Sequence, residues 1–463
     1  MMAERPEPVR DLDWEPARAR AFVDGVADIY EELLARLPDL PVIVDQGVGE
    51  VHAGVVVDVP DGPTPEVELL GYLRRMTFDH SALPGHPRFS AYVSGAGTVP
   101  GAAADLLASG INMNVGGWRL SPSATEIEMA LTRWFAQRMF GMPDGSGGAL
   151  TSGGALANLI ALKVARDARA GWDVRADGIA AGPPLGFYLS SETHVVSDRA
   201  ADMLGVGAAN VRHVPVDDLD AIADVCRDEG MWLHVDAAYG GPAVLADDLR
   251  PLFAGIERAD SIAFDPHKWL YTPLPGGCVL VRDMKLMRHA FDPDHVAYIV
   301  KDEEHTDWGI DLSRYSPNFS RGFWALKVWI SLLAHGRDAY AHRISHDAAL
   351  ARYLGAVVDE RADFELMTPV GLSIACFRYV PANLPGPGAD GREEYLDRLN
   401  QRIMTSIQLG GRAYCSNAVL GGRFCLRSCI VNFRTAADDL DALVEAAAEL
   451  GAALDAELRP PEL

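Results

Sequence analysis

Hydrophobic and polar positions change their rhythm three times along this chain. Over residues 11–37 the apolar side chains Phe22, Val23, Val26, Ile29, Tyr30, Leu33 and Leu34 recur at helical spacing, which predicts one long amphipathic helix. Residues 55–68, rich in Pro, Asp and Val, carry no such period and read as a linker. From about residue 99 to 340, Gly-punctuated apolar runs alternate with helical patterns, which predicts an α/β unit on a mostly parallel sheet. A helix around Phe323–Leu333 leads into a segment of mixed helix and strand character, broken by a Gly/Pro-rich loop at Pro381–Arg392. The expected organisation is an N-terminal helical extension (1–98), a large α/β domain (99–340) and a smaller C-terminal α+β domain (341–463).

Composition narrows the class without naming it. At 463 residues, 49% of them hydrophobic and with 44 Gly and 29 Pro, the chain suits a globular α/β enzyme with a large core. A net charge of -24 argues against nucleic acid and anionic membranes as partners. The 6 cysteines lack paired metal-ligand spacing; Cys425 and Cys429 are an isolated pair in an apolar strand. No run is long enough to span a bilayer, and the first residues carry no apolar signal core. A reduced cytoplasmic protein acting on a small molecule is expected.

Two segments carry the chemistry. In Ser261-Ile-Ala-Phe-Asp265-Pro266-His267-Lys268-Trp269 a lysine follows an apolar run that ends in Asp-Pro. In Trp232-Leu-His234-Val-Asp236-Ala-Ala238-Tyr-Gly-Gly241 an aspartate ends another. A lone Lys or Asp is ordinarily a solvated surface charge. At the ends of strand-like apolar runs an unpaired charge is costly, so a functional role is favoured. The pair suits pyridoxal phosphate (PLP): Lys268 supplies the primary amine for a Schiff base, and a buried carboxylate at Asp236 keeps the pyridine nitrogen protonated. Ala238 points the same way as Asp236 along the strand and is small enough to lie under a ring.

A third segment, Gly147-Gly-Ala-Leu-Thr151-Ser152-Gly153-Gly154-Ala-Leu-Ala-Asn158, reads as strand, Gly-rich turn and helix. Gly153 and Gly154 let backbone N–H groups approach an anion, the helix beyond them aims its positive end there, and Ser152 adds a hydroxyl. No Lys-Ser/Thr follows the glycines, so the Walker pattern is absent.

With these motifs in hand, the chain resembles the group II PLP-dependent amino-acid decarboxylases, the family of aromatic-L-amino-acid and glutamate decarboxylases. Further matches are His86-Pro-Arg-Phe89, Ser121-Pro-Ser-Ala-Thr-Glu-Ile-Glu128, Ser320-Arg-Gly-Phe-Trp-Ala-Leu-Lys-Val-Trp329 and Leu426-Arg-Ser-Cys-Ile-Val-Asn-Phe-Arg-Thr435, so the likeness spans about residues 65–450. It implies a fold type I PLP enzyme, an aspartate-aminotransferase-like large domain with a small C-terminal domain. It further implies a homodimer with shared active sites, in which the N-terminal extension wraps onto the partner. It places His194, in Ser190-Ser-Glu-Thr-His194, on the open face of the cofactor ring as a stacking and proton-delivering group, and His267 among the cofactor contacts. The implied reaction is decarboxylation of an L-amino acid to an amine and CO2.

The chain departs from the family in two places. Members carry a further helix and strand, with a Thr-containing turn, before the helix that leads to the Asp236 strand. Here the strand Asn210–Val216 passes straight into the helix Asp218–Arg227 and then the strand Met231–Ala237, so one βα unit is absent. Either the neighbouring strands close over the deletion or residues of the parent protein are omitted. In addition, members reach a loop tyrosine over the site to protonate the substrate carbon. In Val300–Tyr315 its place falls to Leu312, with Tyr315 a substitute only after a register shift. Loss of that tyrosine is associated with diversion to oxidative decarboxylation-deamination and an aldehyde. A degenerate protein with weak cofactor binding is the third reading. The substrate pocket is expected to include Tyr92 and Tyr315, with Asn114, beside Asn112 and Trp118, brought by the neighbouring subunit; Asn112 and Asn114 would alternatively cap backbone groups.

Overall fold

The computed structural model describes residues 12–216, 218–292 and 309–463. The N-terminal part is helical: α1 (Pro16–Arg36), α2 (Val48–Val55) and α3 (Glu66–Asp79). Pro16 opens α1, where the missing N–H leaves no bond unmade. The predicted linker, 55–68, covers the stretch between α2 and α3 but also takes in the last residue of α2 and the first turn of α3. No residue of α1 is buried; it meets α3 through Gly25 against Leu70, Arg36 over the Phe78 ring, and the exposed pairs Arg18–Glu66 and Arg74–Glu32, which contribute little.

The large domain follows as α4 (Val99–Ile111), α5 (Pro122–Trp134), β1 (Gly147–Thr151), α6 (Gly154–Arg169), α7 (Val174–Asp177), β2 (Phe187–Ser190), α8 (Val196–Met203), β3 (Val211–Val214), α9 (Leu219–Asp228), β4 (His234–Asp236), β5 (Ser261–Phe264), β6 (Gly277–Val281) and α10 (Met284–Phe291). Four strands form a sheet in the order β1-β6-β5-β4. β4 and β5 run parallel, β6 runs against both β5 and β1, and so β6 alone opposes the common direction. β1, β5 and β6 are buried throughout, as their unbroken apolar character requires. Phe264 of β5 meets Phe135 and Phe140 edge-to-face at 4.8 and 5.3 Å, which anchors the sheet to the helical layer beneath.

Where the sequence suggests a missing βα unit, the strands divide into separate sheets. β2 and β3 pair with each other in parallel, Phe187 opposite Val211, but form a separate two-stranded sheet. This pair is held against α6 by Leu162, Ala200, Ala201, Leu204 and Val206. Among the described residues no strand pairing joins it to β4. The expected closing of neighbouring strands over the deletion is therefore not what happens. Residue 217, between β3 and α9, lies outside the described residues, and among the described residues β4 is a sheet edge.

α11 (Ala325–Asp359) is two helical stretches joined at Gly336, whose φ of 74° and ψ of 158° are not helical, so the first stretch ends close to where the expected Phe323–Leu333 helix does. The division expected at residue 340 falls inside the second stretch, just past Gly336. Beyond it, β7 (Phe364–Leu366), β8 (Ile374–Tyr379), α12 (Arg392–Leu409), β9 (Ser416–Leu420), β10 (Arg423–Cys429) and α13 (Ala437–Leu458) build an α+β unit. Its antiparallel sheet, ordered β7-β8-β10-β9, shares a second core with α12 and α13 through Phe377, Leu399, Ile403, Leu443 and Val444. Among the described residues no helix is long and apolar enough to cross a membrane.

Candidate active site

Three loops meet at one edge of the four-stranded sheet. Thr151 of β1 and Phe264 of β5 flank the same end of β6, opposite Gly277 and Cys278, and Asp236 of β4 is in register with Ala263. Residues 152–154, 237–238 and 265–268 therefore emerge together, at the carboxyl ends of parallel strands, where open α/β sheets bind ligands. The Asp265 N–H donates to the Ala238 carbonyl at 3.2 Å, so the Asp236 and Lys268 loops touch.

Lys268 sits in a tight turn. Its ammonium pairs with the buried Asp265 carboxylate at 3.0 Å, and its backbone N–H donates to the Asp265 carbonyl at 2.9 Å. Burial pushes the Asp265 carboxyl up; Lys268 and then His267 pull it back. Its second oxygen, Oδ1, is buried without a partner. His267 donates from Nδ1 to the Gly276 carbonyl at 2.5 Å, and burial lowers its pKa. The imidazole is thus neutral, with Nε2 free and 3.9 Å from Asp265.

The Gly-rich turn is shaped by crowding. A Cβ on Gly154 would lie 2.8 Å from Asp265 Oδ2, and one on Gly277 would lie 2.5 Å from both the Gly153 carbonyl carbon and Thr151 Oγ1. Only glycine lets the start of α6 approach the Lys268 loop this closely. The first N–H groups of α6 have no intrahelical partner and face this neighbourhood. Ser152 is exposed at the same turn. A primary amine, a carboxylate and a helix N-terminus are a donor set that fits PLP: amine to aldehyde, carboxylate to ring nitrogen, helix N–H groups to phosphate.

Below the turn runs a chain of hydrogen bonds that sequence reading quotes but does not assign. Asn158 Nδ2 donates to the Gly154 carbonyl at 2.8 Å, so its Oδ1 accepts from His234 Nε2 at 2.7 Å. His234 Nδ1 accepts from the Ser261 hydroxyl at 2.9 Å, and Ser261 Oγ also receives the Trp232 indole N–H at 2.8 Å. Burial lowers the His234 pKa, consistent with this neutral tautomer. One neutral histidine thus ties α6, β4 and β5 together beneath the site. A second clamp holds β1: Glu128, wholly buried, accepts the Leu150 N–H at 2.8 Å and pairs with the equally buried Arg321. Arg321 in turn donates to the Leu150 carbonyl at 3.1 Å and to Ser316 Oγ at 2.9 Å. Both devices are built from residues inside the quoted motifs, but nothing in those motifs pairs them.

A model of the pyridoxal-dependent decarboxylase conserved domain matches residues 50–220 and 213–380. The aromatic-L-amino-acid decarboxylase of Bacillus atrophaeus is 31% identical over 424 residues, 82% of this chain and 85% of the relative. The chain belongs to the pyridoxal-dependent decarboxylase family. It is a PLP-dependent amino-acid decarboxylase of fold type I. A crystal structure of Oryza sativa TDC with PLP and tryptamine superposes with a TM-score of 0.87 at 25% identity, covering 96% of this chain and 100% of that one. The phenylacetaldehyde synthase of a Rosa hybrid cultivar is 25% identical over 475 residues, 90% of each chain.

The family match comes in two stretches that meet at 213–220, the place where the sequence lacks a βα unit and the sheet divides. The departure from the family that the sequence suggests lies at the same place, and among the described residues β4 pairs with β5 alone. The sequence predicts a buried Asp236; in the single chain its side chain is exposed, at the end of β4. Its Oδ1 accepts the Ala238 N–H at 3.0 Å. His194 is exposed as well, in the turn before α8, with Nδ1 accepting the Val196 N–H at 3.3 Å. Among the described residues no hydrogen bond or ion pair joins it to Lys268 or Asp236.

The expected pocket residues are dispersed. Tyr92 lies against the small domain, its N–H on Ser416 Oγ at 3.2 Å and its carbonyl on Arg427 at 2.8 Å. Asn114 Oδ1 accepts the N–H groups of Gly116 and Arg321 at 3.0 and 3.1 Å, a backbone-bracing arrangement. Tyr315 is packed into the cluster of Ala149, Ile160, Val164 and Met287, and Leu312 into the main core. Residues 293–308, including most of the expected lid, lie outside the described residues.

Proposed function

We propose that this decarboxylase holds PLP through Lys268, with Asp236 at the ring nitrogen and Ala238 beneath the ring. Gly153, Gly154 and Ser152 take the phosphate beside His267, and His194 covers the outer face. The observation that carries this reading is the convergence of the Lys268 and Asp236 loops on the start of α6. Bound PLP supplies the electron sink that lets the carboxylate bond break. The protein's part is to offer the Lys268 amine, to set a negative charge at Asp236, to neutralise the phosphate on helix N–H groups, and to deliver a proton from an imidazole.

The substrate is an L-amino acid, aromatic or polar, and the product the matching amine and CO2. The relatives' names favour an aromatic side chain. The site is completed by a second copy. Support comes from α1, a helix without a buried residue in the single chain, and from α4, which exposes Leu106, Leu107 and Ile111. The second reading, oxidative conversion to an aldehyde, is favoured by Leu312, which is buried in the core and brings no hydroxyl where the family uses a tyrosine. A panel of L-amino acids decides between them. CO2 release without oxygen uptake supports the amine, oxygen uptake with aldehyde supports the alternative, and neither would overturn the enzymatic reading.

A further inference from the structure

We infer that Asp347, on α11 and remote from the reacting atoms in the sequence, is a positioning residue for Lys268. Asp347 is wholly buried. Its Oδ2 accepts the Trp269 indole N–H at 3.1 Å and the Tyr271 hydroxyl at 2.7 Å, so one carboxylate grips the residue after Lys268 and the residue three beyond it. Its Oδ1 pairs with Arg343, which also donates to the carbonyls of Asn432 and Thr435 at 3.1 and 3.2 Å. The loop that carries the cofactor lysine is thereby fastened to α11 and, through Arg343, to the small domain.

Two further observations show that this grip acts on the loop rather than merely filling space. Tyr271 has φ of 51°, a left-handed conformation that is unfavourable for a bulky residue and persists only where surrounding contacts enforce it. The enforcing contacts are the hydroxyl bond to Asp347 and the bond from the Thr98 N–H to the Tyr271 carbonyl at 2.9 Å. The Tyr271 N–H in turn donates to the Lys268 carbonyl at 3.2 Å, so relaxation at Tyr271 moves Lys268 directly. In addition, Trp269 stacks on Tyr239 with centroids 5.2 Å apart and planes 12° off parallel. Tyr239 shares a hydrogen bond with Ser373 Oγ at 2.5 Å and follows Asp236 by a few residues. The Asp347–Trp269 bond therefore sets the spacing between the loop that carries the amine and the loop that carries the carboxylate.

The inference rests on Lys268 as the cofactor lysine, and the test separates the two. PLP-loaded wild type, Asp347→Leu, Asp347→Asn and Tyr271→Phe are compared by visible circular dichroism of the bound cofactor, by kcat and KM, and by thermal unfolding, with Lys268→Ala as control. Asp347→Leu removes every acceptor and is expected to lower kcat on the order of 10²-fold, as a displacement near 1 Å would. KM should change little, and the dichroism of the bound cofactor should change. Asp347→Asn retains an oxygen for Trp269 and Tyr271 and should recover kcat to within about tenfold of wild type. Tyr271→Phe removes one bond and should lose about tenfold in kcat with near-normal unfolding; it carries the decision if Asp347→Leu does not fold. Variants that lose only thermal stability, with kcat and dichroism unchanged, overturn the positioning role. A visible band that survives in Lys268→Ala overturns the lysine assignment and this inference with it.

Discussion

The Lys268 ammonium and the Asp265 carboxylate, one turn apart in the same loop, lie 3.0 Å from each other at the edge of the sheet. Each answers a need of the other: a carboxylate this buried requires a cation, and a lysine so held is aimed at the start of α6. Lys268→Ala is expected to abolish the visible absorbance of the PLP-loaded protein and nearly all turnover. It should also cost about 1–3 kcal/mol, because Asp265 is left buried without its cation. A carboxyl whose folded pKa is raised is well tolerated while protonated and costs stability once ionised. The loss should therefore grow as pH rises through the carboxylate range. Absorbance spectra and unfolding at several pH values check both parts, and a normal spectrum would remove Lys268 from its role.

Asp236 invites a different expectation, because it is exposed and makes one hydrogen bond within its own turn. Asp236→Asn keeps the shape and that bond while removing the charge. Thermal unfolding of the cofactor-free protein should stay within about 0.5 kcal/mol of wild type. Turnover of the PLP-loaded variant should fall by roughly two orders of magnitude or more, since the ring nitrogen loses the charge that holds its proton. A near-normal rate would mean that the nitrogen's partner lies elsewhere.

The Glu128–Arg321 pair makes the opposite prediction, stability lost before chemistry. Both side chains are fully buried and both bind Leu150 of β1, two residues before the Gly-rich turn. Glu128→Ala leaves a buried guanidinium unpaired and should cost about 3–5 kcal/mol. Replacing both partners with apolar residues should cost less than the single change. A double-mutant cycle read by denaturant unfolding tests this, and additive losses would show that the two act independently.

Asp347 supplies a pH dependence with a definite sign. Burial raises its pKa to about 6 against the pull of Arg343 and the hydrogen bonds from Tyr271 and Trp269. Because the folded value exceeds the unfolded one, the folded state holds the proton more tightly. Stability therefore declines as pH rises from about 4 to about 6 and is level above that, by up to about 3 kcal/mol. Asp347→Asn cannot titrate. The difference in unfolding free energy between wild type and this variant should shift against wild type over that window, and a flat difference would refute the assignment.

What was legible in the sequence is what short segments determine. The Gly153–Gly154 turn, the lysine after His267 and the aspartate of β4 announce themselves because each breaks an apolar run with a residue of particular chemistry. The supports beneath them are not local. Asn158 reaches His234 across 76 residues, and Trp269 reaches Asp347 across 78, with nothing in either stretch to single out the partner. The periodicity marks the first stretch of α11, which ends at the non-helical Gly336, but not the second stretch that runs on to Asp359. The absent βα unit was visible as a missing pattern. Its outcome was not, since strand pairing depends on neighbours far away in sequence, and β2 and β3 keep their own pairing by resting on α6.

That division of the sheet leads to the last prediction, which concerns cofactor retention. Among the described residues β4 pairs with β5 alone, and Asp236 at its end is exposed to water in the single chain. A hydrated carboxylate interacts more weakly with a ring cation than a sheltered one, because the effective dielectric is higher. The helix N-terminus at α6 and the Lys268 turn are intact, so PLP should bind but exchange readily. Dialysis without PLP should remove visible absorbance and activity together, and added PLP should restore both. A chimaera carrying the βα unit of the Bacillus atrophaeus relative between Val214 and Leu219 gives β4 a neighbour and shields Asp236. It should bind PLP at least about tenfold more tightly, equivalent to one well-made charge-assisted hydrogen bond. Titration of PLP by fluorescence or absorbance measures the difference. Equal affinity in the chimaera and the native chain, with both folded, would show that the gap is harmless and that the cofactor is held entirely by the three loops.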